Sequence, residues 1–234
     1  MQLLTLLSIP VIFVSSALYF IISRSSNLYI FDPIVLHSLT HSALQVHGNN
    51  TAAVVSQLVS ELSATHSKHV NLDEEWVFNN AGGAMGAMFI IHASLTEYLI
   101  IFGTALGTEG HTGRHTADDY FYILQGEELA YAPDYPQVYE ALGLSLMKSV
   151  TGKGVYEPER YPQGSVHHLK RGQVKQYKMD SGCFALEYAR GWIPGMLFFG
   201  FADTFTSTLD FYTLWRTVWI TAREMVGNLM MGKL

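Results

Sequence analysis

The chain has 234 residues, of which 49% are hydrophobic and only 15% are charged, against roughly 25% charged residues in a typical soluble protein. This shortage of charge favours contact with a membrane, and the formal net charge of −6 argues against a nucleic-acid partner. The single cysteine, Cys183, excludes a disulfide within the chain and argues against a cysteine-based zinc site.

The N-terminal segment, residues 1–24, predicts a membrane-spanning helix. From Leu3 to Ile22 it contains 20 consecutive residues without a charge, enough to cross the roughly 30 Å hydrocarbon core at about 1.5 Å per residue. A cleaved signal peptide is the alternative. The apolar run is longer than the usual h-region of about 7–15 residues, and no basic segment precedes it, so we expect a retained transmembrane helix.

Residues 32–75 predict two amphipathic helices. Asp32 can cap the first helix, a proline follows it, and Gly48 can end that helix. His37 and His41 are four residues apart on this helix, a spacing that can bind a metal. No glutamate lies between them in the zinc-protease pattern, so we interpret them as surface histidines.

Residues 76–193 predict a small β-barrel or jelly roll. Short apolar runs such as "EYLIIFGTAL" and "DDYFYILQGEE" are rich in β-branched and aromatic residues and are separated by glycines, which is typical of such folds. The stretch "NNAGGAMGAM" lacks both the lysine of a P-loop and the spacing of a dinucleotide fingerprint. We therefore interpret it as tight turns and close strand packing.

Residues 194–234 predict two further amphipathic helices, roughly over 194–205 and 208–231. They carry many aromatic side chains and few charges. Their apolar faces can lie on a membrane or close over the barrel. The fold class predicted for the whole chain is therefore mainly β with α-helices at both ends.

The stretch "GTEGHTGRHTADDYFYILQGEE" resembles a metal site because it combines His111 and His115 with Asp118 and Asp119. On a strand the two histidines would share a face but lie too far apart to bind one ion easily. The adjacent pair His167-His168 would point to opposite faces. We expect no metal site here, and the two acids then need another role.

Glu187 supplies a second acidic position, in the alternating strand "GCFALEYARG". An outward-facing side chain, or a salt bridge to Arg190, is one interpretation. The other is a carboxylate buried in an apolar cavity, which is costly unless it is paired. Such a group can bind a cation, stabilise a carbocation, or keep a proton because desolvation raises its pKa.

Three longer segments, "WVFNNAGGAMGAM", "HASLTEYLIIFGTALGTEGHTGRH" and "FALEYARGWIPGMLFFGFADTFTSTLDFYTLWRT", closely resemble the fungal C-8 sterol isomerases. More distantly they resemble the sigma-type receptor of the animal endoplasmic reticulum. The match runs from about Trp76 to the C-terminus. "ADDYFYILQG" and "HHLKRGQVKQY" resemble the enzyme branch in particular, whereas residues 137–150 fit neither pattern and are interpreted as a loop insertion.

The resemblance implies a cupin-like barrel, a single N-terminal transmembrane helix, two C-terminal helices flat on the membrane, a homotrimer, and residence in the endoplasmic reticulum membrane. It implies an isomerase that moves a sterol double bond from the 8,9 to the 7,8 position, fecosterol to episterol, in ergosterol synthesis. That reaction has no redox step, so we expect no cofactor. Cationic amphiphilic amines that imitate the carbocation are expected inhibitors. The alternative is a sigma-type receptor or chaperone that binds hydrophobic amines or sterols without catalysis.

The same resemblance implies the site residues. Glu187 corresponds to the family's cavity glutamate and is expected to face the carbocation and to transfer protons. Asp119 is the second catalytic candidate, with Asp118 behind it. The receptor's partner acid falls about where this chain has Phe121, which shares a strand face with Asp119. The expected substrate-binding residues are Met88, Tyr98, Phe102, His115, Phe121, His168, Ile193 and Leu197, with His115 and His168 as candidate proton relays. Glu97 is expected to anchor hydrogen bonds.

Overall fold

The computed structural model describes residues 28–132 and 157–234. The predicted N-terminal span, 1–24, and the predicted insertion, 137–150, lie outside these residues. Within the two described ranges, no helix combines the length and the apolar character needed to cross a membrane.

Among the described residues, four α-helices flank the strands. They are α1 (Pro33–His47), α2 (Thr51–His66), α3 (Ile193–Asp203) and α4 (Phe211–Met230), and a π-helical turn, Thr204–Thr208, joins the last two. The two helices predicted after residue 32 are present, and their caps explain where they begin. The Asp32 side chain accepts hydrogen bonds from the first free backbone N–H groups of α1, at 2.7 Å and 3.3 Å.

Within the part of the chain that the structure describes, ten strands form two antiparallel sheets. The strands are β1 (Trp76–Ala81), β2 (Ala84–Ala93), β3 (Glu97–Thr104), β4 (Thr108–His111), β5 (Ala117–Gln125), β6 (Glu127–Tyr131), β7 (Glu159–Pro162), β8 (Val166–Leu169), β9 (Gln176–Met179) and β10 (Cys183–Gly191). The larger sheet has the order β1-β2-β3-β10-β5-β8, and the smaller has β4-β9-β6-β7. The prediction of a mainly β fold with helices is confirmed.

Both faces of the large sheet are covered, which explains why every residue of β3 is buried instead of every second one. On one face, Leu99 and Ile101 pack against α1 and α2 in a first core cluster. On the other face, Ile100 and Phe102 pack towards the small sheet in a second cluster that includes Met179 of β9. The space between the two sheets therefore lies inside the barrel.

Glu97 ties both ends of the described chain to the barrel. Its fully buried side chain accepts hydrogen bonds from the backbone N–H groups of Ile30 and Phe31, at 2.9 Å and 3.0 Å, and from the Tyr188 hydroxyl at 2.6 Å. It also pairs with the Lys233 ammonium group at 2.8 Å. The prediction that Glu97 anchors hydrogen bonds is confirmed.

We expect the Glu97→Gln variant to lose about 3–5 kcal/mol of stability, because it leaves the buried Lys233 ammonium group without its counter-charge. Thermal or urea unfolding of the purified protein measures this loss. Glu109→Gln, the same change at an exposed carboxylate of β4, is the matched control and should be nearly neutral. Equal stability of the two variants would contradict the anchoring role.

Candidate active site

A cavity opens between the two sheets, with about 890 Å³ of space that includes its open mouth. The large sheet, the small sheet and helix α3 each supply part of the wall, and most of the lining is apolar or aromatic. Of the two placements left open for the C-terminal helices, α3 closes over the barrel.

Asp119 and Glu187 meet on the cavity wall because of the register of two paired strands. In the β5–β10 ladder Glu187 is opposite Phe121, and Asp119 is opposite Ala189. The two acids are thus diagonal neighbours on one face, where long side chains can meet, and they share a side-chain hydrogen bond. Small neighbours, Ala185 and Ala189, flank Glu187 on this face of β10.

The surroundings of this carboxyl pair favour a bound proton. Burial raises the pKa of Asp119 to about 7, although the hydrogen bond with Glu187 opposes the shift. Burial, followed by repulsion from Asp119, raises the pKa of Glu187 well above its usual value. Two carboxyl groups in hydrogen-bond contact and out of water resist double ionisation. The pair therefore shares one proton at neutral pH.

Glu187 keeps some exposed surface because it borders the open space of the cavity. Asp119 is 2% exposed, and its Oδ1 atom has no hydrogen-bond partner within residues 28–132 and 157–234. The alternative of a Glu187–Arg190 salt bridge is wrong. Arg190 lies on the opposite face of β10 and donates a hydrogen bond to the Tyr120 hydroxyl at 3.0 Å.

Three residues expected at the site do not line the cavity. Asp118 points to the outer face of β5, where its Oδ1 lies 3.5 Å from His168 Nε2 and accepts a bond from the Arg171 backbone N–H at 3.2 Å. His168 stacks on Tyr120 on the same outer face, with ring centroids 4.1 Å apart. Ile193 is fully buried in the core cluster of the barrel. Neighbouring residues of a strand point to opposite faces, which separates Asp118 from Asp119.

The environment of Asp118 also differs from that of the cavity pair. Burial alone would raise the pKa of Asp118, but its hydrogen bonds with His168 and the Arg171 backbone, together with the Arg171 charge, lower it below the usual value. Asp118 is therefore an ordinary ionised carboxylate outside the cavity.

The other expected residues do line the cavity, namely Met88, Tyr98, Phe102, His115, Phe121 and Leu197. His115 is 8% exposed, burial lowers the pKa of its imidazole, and its ring lies 5.2 Å from that of Phe199. The expectation that His167 and His168 point to opposite faces is confirmed, since their side chains are 1% and 35% exposed.

The lining residues that sequence reasoning missed come from both sheets and from α3. They include Ile100, Glu128, Leu169, Tyr177, Met196 and Phe199. No local signal marks Glu128: the buried residues of β6 are Glu128 and Ala130, whereas its larger apolar side chains, Leu129 and Tyr131, lie on the other face. Which face of β6 meets the cavity depends on its pairing with β9, which the sequence does not encode locally.

Comparison with known proteins identifies the family. The family model described as "ERG2 and Sigma1 receptor like protein" matches residues 7–151 and 143–233. The chain belongs to this family. A relative named C-8 sterol isomerase ERG2, from Gibberella zeae, is 59% identical over 233 residues, which covers 100% of this chain and 91% of that protein.

The receptor branch of the family is more distant. Sigma non-opioid intracellular receptor 1 of Gallus gallus is 37% identical over 165 residues, covering 70% of this chain and 65% of that protein. Among solved structures, an RmlC-like cupin from Shewanella frigidimarina aligns with 13% identity and a TM-score of 0.35, covering 53% of this chain and 90% of that one.

The carboxyl pair predicts how stability depends on pH. The raised pKa of Asp119, about 7, means that the folded protein binds this proton more tightly than the unfolded chain. The stabilisation is complete below the ordinary carboxyl pKa of about 4 and is lost as pH rises through about 7. We expect the double variant Asp119→Asn/Glu187→Gln to show a smaller fall in Tm between pH 5 and pH 8.

The control is Asp118→Asn, one residue away. The pKa of Asp118 is lowered, so its contribution is lost towards acid instead and its removal should leave the fall above pH 5 in place. A double variant with the wild-type decline in Tm would show that the pair holds no extra proton.

Proposed function

We infer that this protein is a C-8 sterol isomerase, which moves the ring double bond from the 8,9 to the 7,8 position, converting fecosterol to episterol in ergosterol biosynthesis. The observation that carries this inference is a proton-sharing carboxyl pair on the wall of an apolar cavity. It occurs in a chain that is 59% identical, over its whole length, to a protein named C-8 sterol isomerase.

The chemistry of the shift fits such a pair. One carbon of the double bond must gain a proton and a neighbouring carbon must lose one, with no change in oxidation state. The protonated pair donates its proton to the ring, which leaves two carboxylates beside a tertiary carbocation. One of them then removes the proton from the neighbouring carbon and returns the pair to its starting state. Carboxyls with raised pKa values are suited to both steps at neutral pH.

The cavity contributes by excluding water. A carboxylate stabilises a nearby cation far more strongly in an apolar site than in water, because the effective dielectric constant is lower. Glu187 borders the open space, so we assign it the position facing the cation, with Asp119 as its hydrogen-bonded partner. The sterol rings would pack on the apolar lining, including Met88, Phe102 and Leu197.

The same electrostatics suit cationic amphiphilic amines as inhibitors. A protonated amine with an apolar body places a fixed positive charge where the carbocation would form, beside the carboxyl pair. Tight binding of such a mimic is expected of a site built to stabilise the transition state.

We also propose residence in the endoplasmic reticulum membrane. In its support, the outer surface of the C-terminal helices exposes large apolar side chains, including Phe198 at 79%, Tyr212 at 76% and Trp215 at 59%. A patch of this kind is unusual on a soluble monomer and suits the lipid interface. Helix α3 lines the cavity, so a sterol could enter from the lipid beside it. The N-terminal span over 1–24 and a homotrimer rest on the family resemblance.

The alternative function is a sigma-type receptor or chaperone that binds amines or sterols without catalysis. The cavity by itself would serve either function. The lower identity to the receptor, 37% against 59% for the isomerase, favours the enzyme.

Glu187→Gln should reduce turnover at least about 100-fold, because the amide keeps the shape of the side chain but can neither donate nor accept the proton. Asp119→Asn should be comparably impaired. The measurement is the sterol profile of an ergosterol-producing yeast that lacks its own isomerase and expresses each variant. Glu109→Gln, at an exposed position, is the control and should convert 8-ene to 7-ene sterols like the wild type.

Persistent 8-ene sterols in cells that express the wild-type chain well would contradict the isomerase function and favour the receptor. Full activity of Glu187→Gln, with an active wild type, would leave the isomerase function standing and remove Glu187 from the mechanism.

A further inference from the structure

A third carboxyl group lines the cavity from the small sheet. Glu128 of β6 is 1% exposed and borders the same space as Asp119 and Glu187. Its Oε2 atom has no hydrogen-bond partner among residues 28–132 and 157–234. A buried polar atom without a partner is costly, so its position calls for a physical explanation.

A line of buried polar groups holds the other oxygen of Glu128. His167 Nδ1 lies 2.7 Å from Glu128 Oε1, and His167 Nε2 lies 3.1 Å from Lys175 Nζ. Lys175 in turn pairs with Glu159 Oε2 at 2.7 Å. The Tyr161 ring stacks on the imidazole with centroids 4.4 Å apart, which holds its orientation.

The donor and acceptor roles in these hydrogen bonds determine which nitrogen of His167 carries the hydrogen. A lysine ammonium group only donates, so Nε2 of His167 must accept. The imidazole hydrogen is then on Nδ1 and is donated to Glu128 Oε1. Lys175 and Glu159 neutralise each other. This arrangement places no hydrogen on Glu128, which presents the carboxylate oxygen Oε2 to the cavity.

No lysine or arginine side chain among the described residues lines the cavity. The Glu128 carboxylate therefore lies on one wall of the cavity, and the proton-sharing pair lies on the other. A negatively charged wall stabilises a neutral sterol little. It stabilises a carbocation strongly, because the two walls enclose the cation in an apolar space where electrostatic attraction is stronger than in water.

We propose that Glu128 is a third catalytic carboxylate, whose free oxygen stabilises the positive charge that develops on the sterol ring, and that His167 and Lys175 are positioning residues that hold this carboxylate in place. The proposal rests on the proposed isomerase function. Since the stabilised charge exists only along the reaction path, Glu128 should act on kcat rather than on the binding of neutral substrate.

The test compares Glu128→Gln with Glu127→Gln in the purified full-length protein. The amide introduced by Glu128→Gln can still accept the His167 hydrogen bond but carries no charge. Glu127 is the preceding residue of the strand and points outward to an ion pair with Arg160, whose side chain is 64% exposed. We expect Glu128→Gln to lower kcat on the order of 10- to 100-fold with KM within about twofold, and Glu127→Gln to behave as the wild type.

A binding measurement separates charge from structure without using turnover. N,N-dimethyldodecylamine is protonated at pH 7, whereas N,N-dimethyldodecanamide is neutral and of similar shape. Glu128→Gln should weaken the amine at least about tenfold and leave the amide unchanged. Glu128→Asp keeps the charge on a side chain that is one methylene shorter. It should recover part of both kcat and amine affinity. This variant takes the place of Glu128→Gln if Glu128→Gln does not fold.

Equal loss of amine and amide affinity, or a kcat unchanged in both variants at Glu128, would overturn the proposal. A wild-type protein that converts no sterol would instead overturn the isomerase function. The two failures are therefore distinguishable.

Discussion

The hydrogen bond between Asp119 and Glu187 is the interaction on which the rest of the site depends. Each carboxyl alone would be an expensive group inside an apolar barrel. Together they share one proton, so that the pair carries a single charge and keeps an acid available near neutral pH. The diagonal register of β5 and β10 makes this contact possible. A shift of one residue would turn one of the acids to the helix-covered face.

The two faces of the large sheet differ in what they pack against. The face under α1 and α2 holds a conventional apolar cluster, together with the Tyr188 hydroxyl and the Glu97 carboxylate. The opposite face keeps an open space whose wall includes carboxyl groups. One strand such as β10 serves both faces: Leu186 and Tyr188 pack under the helices, while Glu187 borders the cavity.

The buried acidic side chains of this protein lie in two kinds of environment. Glu97 is surrounded by donors and neutralised by Lys233, as expected of a group that stabilises the fold. Glu128 and Asp119 each keep one oxygen without a partner within the described part of the chain. An incompletely satisfied buried carboxyl group is costly for stability, so two such groups lining the same cavity point to function. The contrast between Glu97 and the cavity acids separates structural from chemical carboxylates.

The sequence by itself determined the strand character of residues 76–193 and the caps of the first helices, because alternation and capping are local properties. It also carried the family resemblance, which implies a cavity position for Glu187. It did not decide which acid of the adjacent pair joins Glu187, although strand parity favoured Asp119 over Asp118. Nor did it reveal Glu128, which reaches the cavity only through the pairing of β6 with β9 and the packing of the two sheets. Tertiary structure decided these points, because the partners of a buried charge come from strands far apart in the chain.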